Sequence, residues 1–156
     1  MSSIRHLNIP TFYCAFQTLD SISLVMELIE GIPTREMMHQ MTPRELEELG
    51  ALLLWEIGGL LTFLHSHGIV HLDVQVENVV FRGRRPYLID YGRAEHSHEE
   101  TSRYYDYRSL GLMLRELFAG KGSTYEDLVD MLVHGQWDQE RVTRWFDETR
   151  VIHSTG

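Results

Sequence analysis

Three features of the 156-residue sequence predict a mainly helical α+β fold with small antiparallel β-hairpins. Leucine and isoleucine recur at helical spacing from Leu46 to Leu64. Two pairs of short aromatic and β-branched runs flank turn-like residues. Three further helical periods follow between Asp106 and Trp145.

The elements follow in chain order. Residues 10–17 and 21–28 are rich in aromatic and β-branched types, with Leu19-Asp20 between them, which predicts a β-hairpin. Thr42-Pro43-Arg44-Glu45 then combines a Thr N-cap, Pro at the first helical position and Glu at the third, so the orphan amides of a helix start are satisfied reciprocally. Leu46, Leu49, Leu53, Ile57, Leu60, Leu61 and Leu64 continue one apolar face until Gly68 offers a left-handed cap. Val79-Val80-Phe81 and Pro86-Tyr87-Leu88-Ile89 surround Arg82-Gly83-Arg84-Arg85 as a second small hairpin. Leu110, Met113, Leu114, Leu117 and Phe118 give an amphipathic helix from Asp106, ended by Gly120. Ser123 and Glu126 form a capping box for a helix to about Val133, stopped by Gly135. Asp138 caps a last helix through Trp145, and residues 150–156 are expected to fray.

Composition narrows the function classes. The length suits one domain, which buries about 70% of its unfolded surface without a covalent staple. A formal charge of −9 argues against a phosphate-backbone binder, which needs clustered Lys and Arg. No apolar run approaches the roughly 18 residues that span a bilayer, so no membrane role is expected. The N-terminus lacks a secretory pattern and Cys14 has no partner cysteine, so an intracellular, reducing compartment is expected. Thirteen of the 14 basic residues are Arg, and the only Lys is Lys121.

The chemistry concentrates between Phe63 and Gly92. The segment holds His71-Leu72-Asp73, Asn78 five residues beyond the aspartate, and Leu88-Ile89-Asp90-Tyr91-Gly92. Phosphoryl transfer needs a carboxylate to orient a hydroxyl, oxygen ligands to hold Mg²⁺ on phosphates, and cations to offset charge. Asp73, Asn78 and Asp90 supply the first two, on a loop after a long helix and at the end of the strand that follows.

These residues resemble the catalytic loop and metal-binding motif of the eukaryotic protein-kinase-like superfamily. The pattern H-R-D-x-x-x-x-N is matched by His71, Asp73 and Asn78, and D-F-G by Asp90-Tyr91-Gly92. The resemblance implies Asp73 as catalytic base and Asn78 and Asp90 as Mg²⁺ ligands. Leu24 to Gly31 resembles the fifth strand and hinge, which implies Met26 as gatekeeper, the Glu27 and Ile29 backbone as adenine contacts, and Val80 in the adenine floor. Asp106 resembles the helix aspartate that braces the catalytic loop. ATP and Mg²⁺ are the implied cofactors and a protein hydroxyl the implied substrate.

The sequence departs from that pattern in its cations. His6 to Pro10 resembles the link into the fourth strand, so residues 1–156 are expected to form a single truncated kinase-like domain, the hinge and C-terminal lobe, without the Gly-rich loop or its Lys. The catalytic-loop Lys is replaced by Gln75, and Leu72 stands where an Arg usually receives an activation-loop phosphate. Two readings stay open. One is a phosphotransferase that draws its N-terminal lobe from a longer gene product or a partner chain. The other is a binding module that engages a partner protein through the uncovered surface around Phe12, Phe16 and Met26. Asp73, Asn78 and Asp90 could equally serve only to hydrogen-bond the loops into shape. Glu95 to Glu100 is taken as a solvated loop, Tyr104, Tyr105 and Tyr107 as packing beneath it, and Trp137, Trp145 and Phe146 as the base of the core.

Overall fold

A computed structural model describes residues 4–117 and 126–154, with side chains as far as residue 149. The long helix anticipated from the leucine period is α2 (Pro43–Ser66), and its buried face is the centre of the molecule. Leu53, Leu54, Ile57, Leu60, Leu61 and Leu64 are fully buried there. By length and composition α2 could also cross a bilayer, yet 56% of the qualifying window is buried inside the protein, so its apolar face is already occupied. Its start has the anticipated capping box: Glu45 N donates to Thr42 Oγ1 at 3.3 Å and Thr42 N donates to the Glu45 carboxylate at 2.7 Å. At its end Gly68 takes φ +70° and its N–H donates to the His65 carbonyl.

Before α2, strands β1 (Phe12–Gln17) and β2 (Ile22–Met26) pair antiparallel, with Tyr13 bulged out of register. The Thr18 hydroxyl accepts from Ser21 N at 3.0 Å and closes their turn. A two-residue strand, β3 (Ile32–Pro33), leads into the short helix α1 (Thr34–Met38), whose buried Thr34 hydroxyl donates to the Val79 carbonyl.

After α2, β4 (Ile69–Val70) enters the loop that carries Asp73 and a single 3₁₀ turn, Val76–Asn78. Strands β5 (Val79–Arg82) and β6 (Arg85–Leu88) form the second anticipated hairpin, and β3 adds to the outer edge of β5. Glu95 and His96, expected in a solvated loop, pair with β4 as β7.

Helix α3 spans Glu100–Leu117, six residues earlier than the apolar period suggests. Its first turns are polar and aromatic, so they carry no period, and the Ser97 hydroxyl accepting from Glu99 N sets the entry. Gly120, Lys121 and Ser123, and with them the second capping box, lie outside the described residues. Helix α4 (Glu126–Val133) ends as anticipated at Gly135, φ +71°, where Gln136 N donates to the Met131 carbonyl and Gly135 N to the Leu132 carbonyl. Helix α5 (Gln139–Ser154) begins with Arg141 N on the Asp138 carboxylate. It runs past Trp145 and through residues 150–154, where fraying was expected, because neither Gly nor Pro interrupts it before Gly156. Trp137, Trp145 and Phe146 do pack on the core.

Two helical glycines make opposite predictions. A Cβ on Gly111 would sit 2.7 Å from Val133 N and 2.8 Å from Leu132 Cβ, where α3 meets α4, whereas one on Gly59 would meet nothing within 4 Å. Gly59→Ala is expected to stabilise by up to about 1 kcal/mol through helix propensity. Gly111→Ala should lose more than that gain and destabilise by about 1–2 kcal/mol. Urea denaturation of both variants measures the difference in sign.

Candidate active site

The loop from His71 to Asn78 is held from beneath by one carboxylate. Asp106, on the buried side of α3, is fully buried and accepts three hydrogen bonds: His71 N at 2.9 Å, Leu72 N at 2.8 Å and His65 Nε2 at 2.8 Å. Leu72 takes φ +64°, a conformation that costs an L-residue about 1–2 kcal/mol. Its N–H bond to Asp106 offsets that cost and sends the chain back toward Asp73.

His71 supplies the next layer. Asp73 N donates to His71 Nδ1 at 3.1 Å, so the ring proton sits on Nε2 and is donated to the Ile89 carbonyl at 3.1 Å. The ring is buried and meets Tyr91 edge-on, with centroids 4.8 Å apart. Burial pushes the His71 pKa below its ordinary value, and this outweighs the opposing influence of the Asp106, Asp73 and Asp90 carboxylates. The two ring hydrogen bonds join the 71–78 loop and the residue after β6 at the same imidazole. Tyr91 fills the core in place of the usual Phe, and burial raises its phenol pKa.

Asp73 is itself clamped. Asn78 Nδ2 donates to the Asp73 carbonyl at 2.8 Å and to its Oδ2 at 2.9 Å, while Gln75 Nε2 donates to Oδ1 at 3.2 Å. Asn78 thus spends its amide nitrogen on Asp73, which leaves its side-chain oxygen as a free acceptor. Asp90 is exposed, takes φ +59°, and uses Oδ1 to accept from Gly92 N at 3.2 Å. The structure therefore joins Asp73 to Asn78 directly. Asp90 follows through the backbone, since Ile89 N donates to the Asn78 carbonyl at 2.8 Å.

Of the residues expected to meet a cofactor, Glu27 and Ile29 follow β2 and Val80 lies on β5. Glu27 N donates to the Thr11 carbonyl at 2.7 Å, and its carboxylate pairs with Arg82 at 2.9 Å. Its pKa is lowered, first by the Thr11 backbone bond and then by Arg82. Among the described residues no other backbone group takes the Glu27 carbonyl or the Ile29 amide. Val80 is buried on β5. A cleft of about 520 Å³ opens between β2 and the Asp90–Gly92 turn, lined by Met26 and Asp90 among others, but Asp73, Asn78, Glu27, Ile29 and Val80 do not line it.

The donor set fits a hard cation, because an amide oxygen and a carboxylate are the ligand types Mg²⁺ takes. Among the described residues no group of three or more His, Cys, Asp or Glu could hold a metal, the Glu95–Glu100 stretch included. Tyr107 packs as expected, whereas Tyr104 and Tyr105 are exposed. The sequence reading gave no role to His65 or to the donor on Gln75. His65 carried one signal: it is a polar residue directly after Leu64 on the apolar face of α2.

The sequence matches the protein kinase domain family over residues 1–135. The chain belongs to the protein kinase family. Among its relatives are a probable bifunctional tRNA threonylcarbamoyladenosine biosynthesis protein of Methanosarcina acetivorans, 31% identical over 143 residues, covering 85% of this chain and 24% of that protein. Mitogen-activated protein kinase kinase kinase 8 of Rattus norvegicus is 30% identical over 141 residues, covering 85% of this chain and 29% of the relative. Rat myosin light chain kinase 3 is 26% identical over 170 residues, covering 88% and 21%. The chain thus spans about a quarter of the length of these curated relatives.

The brace under this kinase-family loop makes two predictions. Asp106→Ala strands two buried backbone amides and His65, and is expected to cost about 3 kcal/mol or more, since each orphaned donor costs about 1–3 kcal/mol. Asp106→Asn retains one oxygen and should cost less, as urea midpoints will show. The second concerns pH. His71 has a folded pKa below its unfolded value of about 6.5, so the unfolded chain takes up a proton that the native state refuses. Stability is present above about pH 6.5 and lost as pH falls below it. The carboxylates lowered by their partners, Glu27, Glu45 and Glu77, act below their ordinary 4.5. His71→Gln is expected to flatten the decline in melting temperature between about pH 7 and pH 5.5, leaving the part due to His6, which burial also lowers.

Proposed function

We propose that this chain is the hinge and C-terminal lobe of a phosphotransferase that moves the γ-phosphate of ATP to a Ser or Thr hydroxyl of a protein. In this reading Asp73 accepts the hydroxyl proton, and Asn78 and Asp90 hold Mg²⁺ through their side-chain oxygens. The Glu27 carbonyl and the Ile29 amide meet adenine, with Val80 beneath it. The observation that carries the reading is the clamp on Asp73: Asn78 orients the carboxylate with its nitrogen and keeps its oxygen for a cation. Bound Mg²⁺ would offset charge on the phosphates. The relatives carry names from both protein phosphorylation and tRNA threonylcarbamoyladenosine biosynthesis, so the similarity supports the reaction class more than the acceptor.

The phosphate-holding cations are not in these 156 residues. No G-x-G-x-x-G pattern occurs, the single Lys is Lys121, and the usual loop Lys is Gln75, a neutral donor that contacts Asp73 instead. A complete site takes those parts from another segment of the same product or from a partner. The exposed apolar face of β1 and β2 favours a second reading, a binding module. Phe16 is 61% exposed and Ile22 69%, while Phe12 and Met26 are half-buried.

Thermal melts in Mg²⁺-ATP separate the two readings. Wild type is expected to melt a few degrees higher at millimolar nucleotide, with the shift abolished in Asp90→Ala and reduced without Mg²⁺. No shift in either protein would end the reading of this chain as a nucleotide-binding enzyme by itself. Where the phosphate-holding segment is supplied, Asp73→Asn should lower the phosphorylation rate by about 10²-fold or more while leaving the nucleotide-induced shift in place.

A further inference from the structure

The turn of the β5–β6 hairpin gathers three arginines at the opposite end of β5 from Asn78. β5 ends at Arg82 and β6 begins at Arg85, leaving Gly83-Arg84 as the turn, with Gly83 at φ +64°. A glycine of positive φ at the first of two turn positions is a favoured way to close a tight hairpin. That geometry makes Arg82 and Arg85 direct cross-strand partners. Like charges so placed repel, and the turn adds Arg84 to them.

Only one of the three is neutralised. Arg82 donates to the Glu27 carboxylate at 2.9 Å and to the Tyr87 hydroxyl, and its guanidinium lies 4.7 Å over the Tyr87 ring. It is a fixed wall. The side chains of Arg84 and Arg85 make no hydrogen bond or ion pair among the described residues. Together with Glu56 and the buried Tyr87, the three line a pocket of about 470 Å³. Glu56 already accepts from Asn8 Nδ2 at 3.1 Å. Three arginines therefore line the pocket with one carboxylate, Glu56, while Glu27 pairs with Arg82 from outside the lining, in a chain whose formal charge is −9. The positive concavity runs against the charge of the whole molecule.

We propose that this pocket binds a phosphate monoester. Several guanidinium forks around one concavity match the three terminal oxygens and near-double charge of such a group, whereas a carboxylate would engage one fork. The bordering Glu27 and Glu56 break any continuous basic track, so a nucleic-acid backbone is not the ligand. The pocket shares no lining residue with the cleft that contains Asp90, and it contains none of Asp73, Asn78 and Asp90; Arg82 alone ties it, through Glu27, to the proposed adenine edge. The group could arrive on a phosphorylated Ser or Thr of a protein or as a free phosphate, and the same chemistry recognises both.

Calorimetry and thermal melts of the 156-residue chain at fixed ionic strength test this with four probes: inorganic phosphate, a phosphoserine peptide, its unphosphorylated form and chloride. Wild type is expected to bind the phosphorylated probes, and Arg84→Gln/Arg85→Gln to lose about tenfold or more in affinity while melting normally in chloride. Arg84→Gln alone, at an exposed turn position, supplies an intermediate loss should the double variant fold poorly. A phosphopeptide bound more tightly than inorganic phosphate assigns a phosphoprotein source, and equal affinities assign a free phosphate. Identical binding by wild type and variants, or no binding of either phosphorylated probe beyond chloride, overturns the proposal.

Discussion

One buried carboxylate organises this fold. Asp106 has no exposed surface, and an isolated charge in that position would be among the most costly groups a protein can bury. It is tolerable because α3, α2 and the catalytic loop each direct something at it: its own helix sets its position, α2 brings His65, and the loop brings two backbone amides. The same bonds fix the relation between the two helices and the loop, so the packing of α2 against α3 and the placement of Asp73 are consequences of one arrangement. Without it, Leu72 would have no reason to adopt its left-handed conformation.

Two residues of the site sit at positive φ, Leu72 at +64° and Asp90 at +59°. They bracket the stretch from the catalytic loop to the end of β6, and each turns the chain sharply where a polar side chain must face outward. Aspartate visits that region more readily than leucine, and Asp90 gains a local bond from Gly92 N. Leu72 has no such relief of its own and depends on Asp106. The more strained of the two therefore leans on the deeper interaction, as expected where surrounding structure over-determines a backbone conformation.

The parts legible in the sequence are those whose signal is local. The capping box at Thr42, the leucine face of α2 and the pairing of β5 with β6 each rest on residues a few positions apart, and all appear where expected. The hydrogen-bonded pair Asp73 and Asn78 is local in the same sense, with five positions between partners. What escapes is carried by long-range partners or by elements too short for a period. β3, β4 and β7 have two residues each, and the first turns of α3 have no apolar stripe. The Glu27 and Arg82 side chains meet across 55 positions, and nothing local to either marks the pairing. His65, His67 and His71 look alike in sequence; only the crossing of α2 and α3 decides which one meets Asp106.

The protonation state of His71 links this scaffold to the proposed chemistry. Three carboxylates near the ring favour the charged form, and burial favours the neutral one; burial is the larger effect. The outcome matters because neutral imidazole offers one donor and one acceptor, and both are used, Nε2 toward Ile89 and Nδ1 from Asp73 N. A charged ring would have two donors, so the Asp73 amide would face a proton and the turn holding Asp73 would open. His71 can therefore act as a strut only while it is not a proton carrier. Asp73 is held by His71 and by the side-chain amides of Gln75 and Asn78, and among the described residues no side-chain cation hydrogen-bonds it. Charge balance around Asp73 is therefore left to groups outside the loop.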